Sequence, residues 1–276
     1  MEQVLKTMLE NVRAKSPLVH NITNYVTVND VANVLLAAGG SPIMSDDADD
    51  VEDITSICGG LNINIGTLNK NTIPSMFLAG KKANALGHIV LLDPVGAGAS
   101  RLRTDTANRL MREVRFDAVR GNISEIKTLC TGSGTTKGVD ADAVDAVTEA
   151  NLDDGVALVK AFAKQTGCII AVTGAIDLVS DGARCWCIRN GRAEMSRITG
   201  TGCQLSALMT AFLVANPNHK LDAAAAAVCM MGLAGEIGWA NMQPGDGNST
   251  YRNRIIDAIF NMTGDALEEG AKYELR

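Results

Sequence analysis

The run Arg197-Ile198-Thr199-Gly200-Thr201-Gly202-Cys203 leads straight into residues of helical spacing that begin Gln204-Leu205-Ser206-Ala207. Glycines at 200 and 202 let the backbone turn sharply. The N–H groups around residues 200 to 203, those of Thr201 and Gly202 among them, then point outward with the positive end of a new helix dipole. Such a terminus binds anions. The same field favours a thiolate on the first helical turn, so Cys203 is placed to accept a proton or to touch a transferring phosphoryl group. A plain helix start with a small buried thiol fits the local pattern as well, because Gly-x-Gly alone is a weak signal.

Two further segments have the same character. Leu91-Leu92-Asp93-Pro94-Val95-Gly96-Ala97-Gly98 is an apolar run ending in a carboxylate and then in a glycine-rich loop. At the carboxyl end of a parallel strand, that pair lies where open α/β sheets bind ligands, although an Asp-Pro turn reads the same way. In Arg120-Gly121-Asn122-Ile123-Ser124-Glu125 the Asn and Glu are three apart. That is capping-box spacing. It is also a place from which Glu125 can help hold a hydrated Mg²⁺, which takes only one or two carboxylates. Val172-Thr173-Gly174 adds a hydroxyl at the end of another apolar run. The first three lie where an expected strand or turn meets the N-terminus of a helix, the edge on which an α/β protein assembles a phosphate and metal site, and the fourth adds its hydroxyl to that edge.

The elements that must position these residues are read from periodicity. Strands are expected over residues 18–20, 42–44, 61–65, 89–93, 118–120 and 168–173. Amphipathic helices are expected over 26–38, 51–58, 74–85, 104–114 and 155–165. Residues 178–180 and 185–188, separated by Asp181-Gly182-Ala183, read as a hairpin that extends the sheet with antiparallel strands. Beyond Glu194 only helical spacing is found, over 202–215, 221–240 and 249–267, with no strand-like run after it. Residues 131–152, rich in Gly, Asp and Thr, read as a surface excursion. The fold class is therefore α/β, with a mostly parallel central sheet flanked by helices and a helical C-terminal third. No linker divides the chain, so one domain spanning 1–276 is expected.

The 276 residues carry a formal charge of −6, which argues against a phosphate-neutralising face for nucleic acid. Seven cysteines in no zinc-like pair of pairs read as reduced thiols of a cytoplasmic protein. The first dozen residues mix Glu2, Lys6 and Glu10 with apolar positions and lack the order of a secretory signal. The longest apolar stretches, 205–215 and 223–235, fall short of the ~18 residues of a membrane span. His20 reads equally as a strand-end core histidine or a substrate contact. Met230 and Met231 read as core filler. The acids from Asp46 to Asp53 read as helix-start residues in solvent, and Cys185 and Cys187 as neighbours on one strand face without metal partners.

The combination of His20-Asn21-Ile22-Thr23-Asn24, Asp93-Pro94-Val95-Gly96-Ala97-Gly98, Arg120-Gly121-Asn122-x-Ser124-Glu125, Lys137-Gly138-Val139-Asp140, Val172-Thr173-Gly174 and Gly200-Thr201-Gly202-Cys203 resembles the hydroxyethylthiazole kinase family, in order and spacing, from about residue 16 to residue 250. The resemblance implies a ribokinase-like fold and ATP-dependent phosphorylation of the primary alcohol of 4-methyl-5-(2-hydroxyethyl)thiazole, a salvage step toward thiamine. By position in the motifs, Arg120 and Thr173 would contact ATP, with Thr201 and Gly202 at its phosphates. Asp93 and Glu125 would lie near Mg²⁺. Met44 and Gly200 would contact the thiazole, with Asn24, Val26 and Gly66 as further pocket residues. The resemblance also implies a homotrimer with the thiazole pocket between subunits. Cys203 stands where the wider superfamily usually has Asp. One departure is Gly245-Asp246-Gly247-Asn248-Ser249, in place of a shorter Gly-Pro-Gly-Ser, at the edge of the expected adenine pocket. The Gly200–Cys203 motif is shared with hydroxymethylpyrimidine kinases, so that alcohol and pyridoxal are rival substrates. A nucleotide-binding protein without turnover is the rival from another class. Retention of Asp93, Glu125 and Cys203 together argues against it.

Overall fold

The computed structural model describes residues 3–132 and 146–276. Nine strands form one sheet: β1 (Leu18–Ile22), β2 (Ser41–Met44), β3 (Gly60–Asn64), β4 (Ile89–Asp93), β5 (Ala118–Asn122), β6 (Ile169–Thr173), β7 (Asp177–Ser180), β8 (Cys185–Ile188) and β9 (Tyr273–Leu275). Their order is β2-β1-β3-β4-β5-β6-β7-β8-β9. The six strands from β2 to β6 pair in parallel and the last three antiparallel. Parallel strands are covered on both faces, which is why β4 and β6 read as apolar runs broken only at their carboxyl ends. Along β4 the residues alternate: Ile89 and Leu91 pack on one side, Val90 and Leu92 on the other.

The first side is covered by helices Thr201–Ala215 and Lys220–Ala240, against which helices Val4–Lys15 and Asn248–Asn261 pack in turn. Helix Lys220–Ala240 is longer and more apolar than expected, enough on length and composition to cross a membrane. Its run Ala223 to Ala227 is fully buried, and these small side chains let the two neighbouring helices pack closely. Burial among its neighbours accounts for its apolarity. Met230 and Met231 are buried in the same cluster, as core filler should be.

Three parts differ from the periodicity. Helix Val4–Lys15 was not expected, yet Leu5, Met8, Leu9 and Val12 form a buried stripe at helical steps. The stretch expected as one helix over 249–267 is two, Asn248–Asn261 and Gly264–Gly270, because the Thr263 hydroxyl accepts the Ala266 N–H and starts a new helix. The helical C-terminal third also ends in a strand. β9 pairs with β8, and Tyr273 lies 4.3 Å from Trp186 between ring centroids. Three half-exposed residues on a sheet edge are too few to show alternation. The hairpin forms as expected, with Gly182 at φ +90° and the Asp181 carboxylate accepting the Ala183 and Arg184 N–H groups. In the 131–152 excursion, helix Ile123–Thr131 ends at Gly132 and a single helical turn covers Glu149–Asn151. The Lys137-Gly138-Val139-Asp140 motif lies outside the described residues.

Candidate active site

The chain goes from β1 outward to β2 and then returns to the other side of β1 to form β3, so the strand order reverses there. Crevices at the carboxyl ends of strands open at such a reversal. A cleft does lie there, lined by Asn21, Thr23, Met44, Asn64, Thr67 and Met76. The Thr23 hydroxyl is buried without a partner. His20, fully buried beneath the cleft, accepts or donates at Nδ1 to the Thr55 hydroxyl (3.0 Å), and its Nε2 meets the Ser45 carbonyl at 2.9 Å. A carbonyl only accepts, so Nε2 carries the proton. The structure makes His20 a packed histidine that fixes the turn after Met44.

Asp93 ends β4 and is fully buried. Its Oδ2 accepts from Asn64 Nδ2 and from the Ser206 hydroxyl, each at 2.8 Å, and Arg120 Nη1 stands 3.7 Å away. Oδ1 has no partner. Burial pushes the carboxyl above its ordinary value against the pull of Arg120 and the two donors. Ser206 lies one turn beyond Gly202 on helix Thr201–Ala215, so this hydrogen bond brings the glycine-bounded helix start to the end of β4. Gly200 caps that helix at φ +86°, and a Cβ there would sit 2.2 Å from Thr27 Cγ2. Only glycine fits both the dihedral and the space.

Cys203 is buried among Val19, Val31 and Leu35, with Met44 and Val95 against the same cluster. Asn24 Nδ2 lies 3.2 Å from its Sγ. The thiolate expected at this helix terminus is not what the site favours. Burial, and then the nearby Asp93 carboxylate, push the thiol up to about 11. The dipole field is outweighed by the cost of removing a charge from water. Asn24 itself accepts the Thr27 N–H and hydroxyl at Oδ1 and donates from Nδ2 to Asn64 Oδ1 at 3.1 Å as well. Thr27, Asn24, Asn64 and Asp93 thus form a continuous chain of hydrogen bonds.

Glu125 closes the capping box of helix Ile123–Thr131: Asn122 accepts its N–H, and its Oε2 accepts the Asn122 N–H at 2.8 Å. Its Oε1 accepts the Gly96 N–H at 2.7 Å, which ties the glycine-rich loop after Asp93 to the next helix. Capping and site placement therefore coexist. Burial, reinforced by Asp93, pushes Glu125 up to about 7. On the far side, Arg120 donates from Nη2 to the Thr173 hydroxyl. A Cβ on Gly202 would lie 2.4 Å from Arg120 Nη1, so the glycine makes room for the guanidinium against the helix start.

The sequence-expected residues Asn24, Gly66, Asp93, Arg120, Glu125, Thr173, Gly200, Thr201, Gly202 and Cys203 thus gather at one edge, with Met44 in the adjoining cleft. Val26 does not join them: its side chain is 58% exposed, beside the 76% exposed Tyr25. Asn64 and Ser206, the two donors on Asp93, escape sequence reasoning, because neutral polar residues in apolar runs carry no periodic signal. Asp177 is missed too; it accepts the Gly174 N–H at 2.8 Å just beyond Thr173. The departure at Gly245 to Ser249 turns at Gly245 (φ +94°) and runs into helix Asn248–Asn261, whose first residue, Asn248, donates to the Arg197 carbonyl at 2.9 Å, a few residues before helix Thr201–Ala215. The acids from Asp46 to Asp53 stand mostly in solvent, with Glu52 and Asp53 on the first turn of helix Val51–Ile57. Cys185 and Cys187 are both buried on one face of β8. Among the described residues no group of three or more His, Cys, Asp or Glu is arranged to hold a metal.

A model of the hydroxyethylthiazole kinase family matches residues 9–265. The chain is 58% identical over 271 residues to a hydroxyethylthiazole kinase of Clostridium acetobutylicum, covering 98% of this chain and 99% of that one. The solved structure of a hydroxyethylthiazole kinase protein from Pyrococcus horikoshii superposes with a TM-score of 0.87 at 32% identity, covering 99% of this chain and 98% of that one. A pyridoxal kinase from Staphylococcus aureus, solved with ADP, shares the ribokinase-like fold with a TM-score of 0.61 at 14% identity, over 94% of this chain and 97% of that one.

Proposed function

The chain belongs to the hydroxyethylthiazole kinase family, and from that premise we propose that it transfers the terminal phosphoryl group of ATP to the primary hydroxyl of 4-methyl-5-(2-hydroxyethyl)thiazole. The products are the thiazole phosphate and ADP, in thiamine salvage. The observation that carries the reading is the Ser206–Asp93 hydrogen bond, which holds the amides of residues 200–203 beside the carboxylate that ends β4.

In the transfer the hydroxyl oxygen bonds to the terminal phosphorus, the bond from that phosphorus to the bridging oxygen of ADP breaks, and the hydroxyl proton passes late in the step to an oxygen of the transferred phosphoryl group and on to solvent. A loose transition state of this kind asks for positioning and charge stabilisation more than for a strong base. The N–H groups of Thr201 and Gly202 face the transferred charge, while Arg120 and Thr173 hold the nucleotide phosphates. Cys203 lies beside the substrate hydroxyl. With its thiol pushed up to about 11, it stays protonated at neutral pH and serves as a lining group and weak donor rather than as the base. Met44, Gly200, Asn24 and Gly66 form the thiazole pocket.

The donor set fits Mg²⁺. Asp93 presents a buried carboxylate oxygen without a partner, and Glu125 is a second hard oxygen ligand nearby. Two carboxylates, with no larger cluster among the described residues, suit a cation that keeps its waters and binds mainly through phosphate. When bound, Mg²⁺ would neutralise charge on the phosphate oxygens. The exposure of Tyr25, which lines the cleft, and of the adjacent Val26 supports a homotrimer in which a neighbouring subunit closes the thiazole pocket, and the proposed enzyme is cytoplasmic.

The deciding experiment is mass detection of the phosphorylated thiazole after incubation with Mg-ATP, with hydroxymethylpyrimidine and pyridoxal offered in parallel. Phosphorylation of the thiazole supports the reading. Turnover of either rival alone, or ATP binding with no turnover, overturns it.

A further inference from the structure

Arg103 lies on the first turn of helix Arg101–Glu113 and reaches back over the site. Its Nη2 donates to the Gly66 carbonyl at 2.7 Å and its Nη1 to the Val95 carbonyl at 3.3 Å. Gly66 comes after β3 and Val95 after β4, so one guanidinium spans the loops beyond two neighbouring strands. Each loop is wired to a different side of the site. The Gly66 N–H donates to Asn64 Oδ1 at 2.9 Å, the same atom that accepts from Asn24, whose amide also meets Cys203. The N–H of Gly96, next to Val95, donates to Glu125. Gly96 adopts φ +74°, and a Cβ there would lie 2.2 Å from Arg103 Nη1, so the loop is shaped to admit the guanidinium. The helix start is itself anchored: the Ser100 hydroxyl accepts the Arg103 N–H, and the Thr104 hydroxyl accepts the Gly98 N–H.

We propose that Arg103 is a positioning residue that locks the loop on the alcohol side, at Gly66, to the loop on the metal and phosphate side, at Val95 and Gly96, so that the two present their groups as one unit. The assignment of the two sides rests on the function proposed above; the lock itself does not. A planar fork satisfies two carbonyls at once, which a lysine ammonium on a flexible stem does not reproduce.

The test compares the full chain with Arg103→Lys, and with Arg103→Gln should the lysine variant fold poorly. Amide hydrogen exchange without ligands is read at peptides covering residues 64–68 and 94–98. Both segments are expected to exchange about tenfold faster in the variant while β4 and β5 keep their protection. The KM values for the thiazole and for ATP are expected to rise together, by about tenfold, with a smaller change in kcat. Faster exchange in one segment alone or in neither, or a rise in only one KM, overturns the proposal. If the wild-type chain does not phosphorylate the thiazole, the functional reading fails, and the exchange comparison still decides the lock.

Discussion

The Ser206 hydroxyl donates to Asp93 Oδ2 across 2.8 Å, joining residues 113 positions apart in sequence. Through this contact the glycine-bounded start of helix Thr201–Ala215 and the end of β4 become one site. Ser206→Ala leaves a buried carboxylate with one donor fewer, at a cost of about 1–3 kcal/mol. Urea unfolding at neutral pH should show this loss, and kcat should fall with it. Unchanged stability and rate would show that the contact is dispensable.

For Cys203, the buried and protonated thiol predicts that a base is not what the position supplies. Cys203→Asp is expected to fold and remain active, with Asn24 donating to the new carboxylate. Cys203→Ala should lose part of the rate, about tenfold to a hundredfold, but not all of it. In the wild type the kcat profile between about pH 6 and 9 should show no limb from this thiol, since its value lies near 11. Complete inactivity of the folded Asp variant would count against the role.

Glu125 links stability to pH in a definite direction. Its folded value of about 7 lies above the ordinary 4.5, so between these two values the folded chain holds a proton that the unfolded chain has released. Its contribution to stability is therefore present below pH 4.5 and is lost as pH rises toward 7, by roughly 3 kcal/mol over the window. Glu125→Gln should remove Glu125's share of that slope in metal-free protein, leaving the share of other buried carboxyls such as Asp93, apart from a constant offset for the altered bond to Gly96 or Asn122. Parallel unfolding curves for the two proteins from pH 4.5 to 7 would refute the assignment.

Gly202→Ala tests the space beside Arg120. A methyl group 2.4 Å from Nη1 must displace the guanidinium from the helix start. The KM for ATP is expected to rise by about tenfold or more, with a smaller effect on that for the thiazole, because one charge-assisted contact is worth about 1.5–3 kcal/mol. Equal effects on both substrates would place Arg120 elsewhere in the reaction.

Asp93, Arg120, Glu125 and Thr173 could be found from sequence because each ends or succeeds an apolar run, and in a parallel sheet those ends converge on one edge. Asn64 and Ser206 could not, since a neutral amide at the end of β3 and a serine inside an apolar helix carry no charge or periodic pattern, and their meaning comes only from the Asp93 carboxylate that both meet. The thiolate expected at Cys203 failed for a related reason: a dipole can be read from the chain, but burial cannot. Strand β9 was hidden by its brevity. The helix Val4–Lys15 is legible in the three- and four-residue steps of Leu5, Met8, Leu9 and Val12, although its charged residues mask the short apolar stripe.

The chain from Thr27 through Asn24 and Asn64 to Asp93 has a sense of direction: every amide in it turns its hydrogens toward the carboxylate and its oxygen away. Such aligned dipoles polarise one another. An added positive charge at Asp93 would weaken each link in turn back to Thr27, whose methyl stands against Gly200. The electrical state of one strand end is thus relayed, by three side chains and without any movement, to the turn that opens the neighbouring helix.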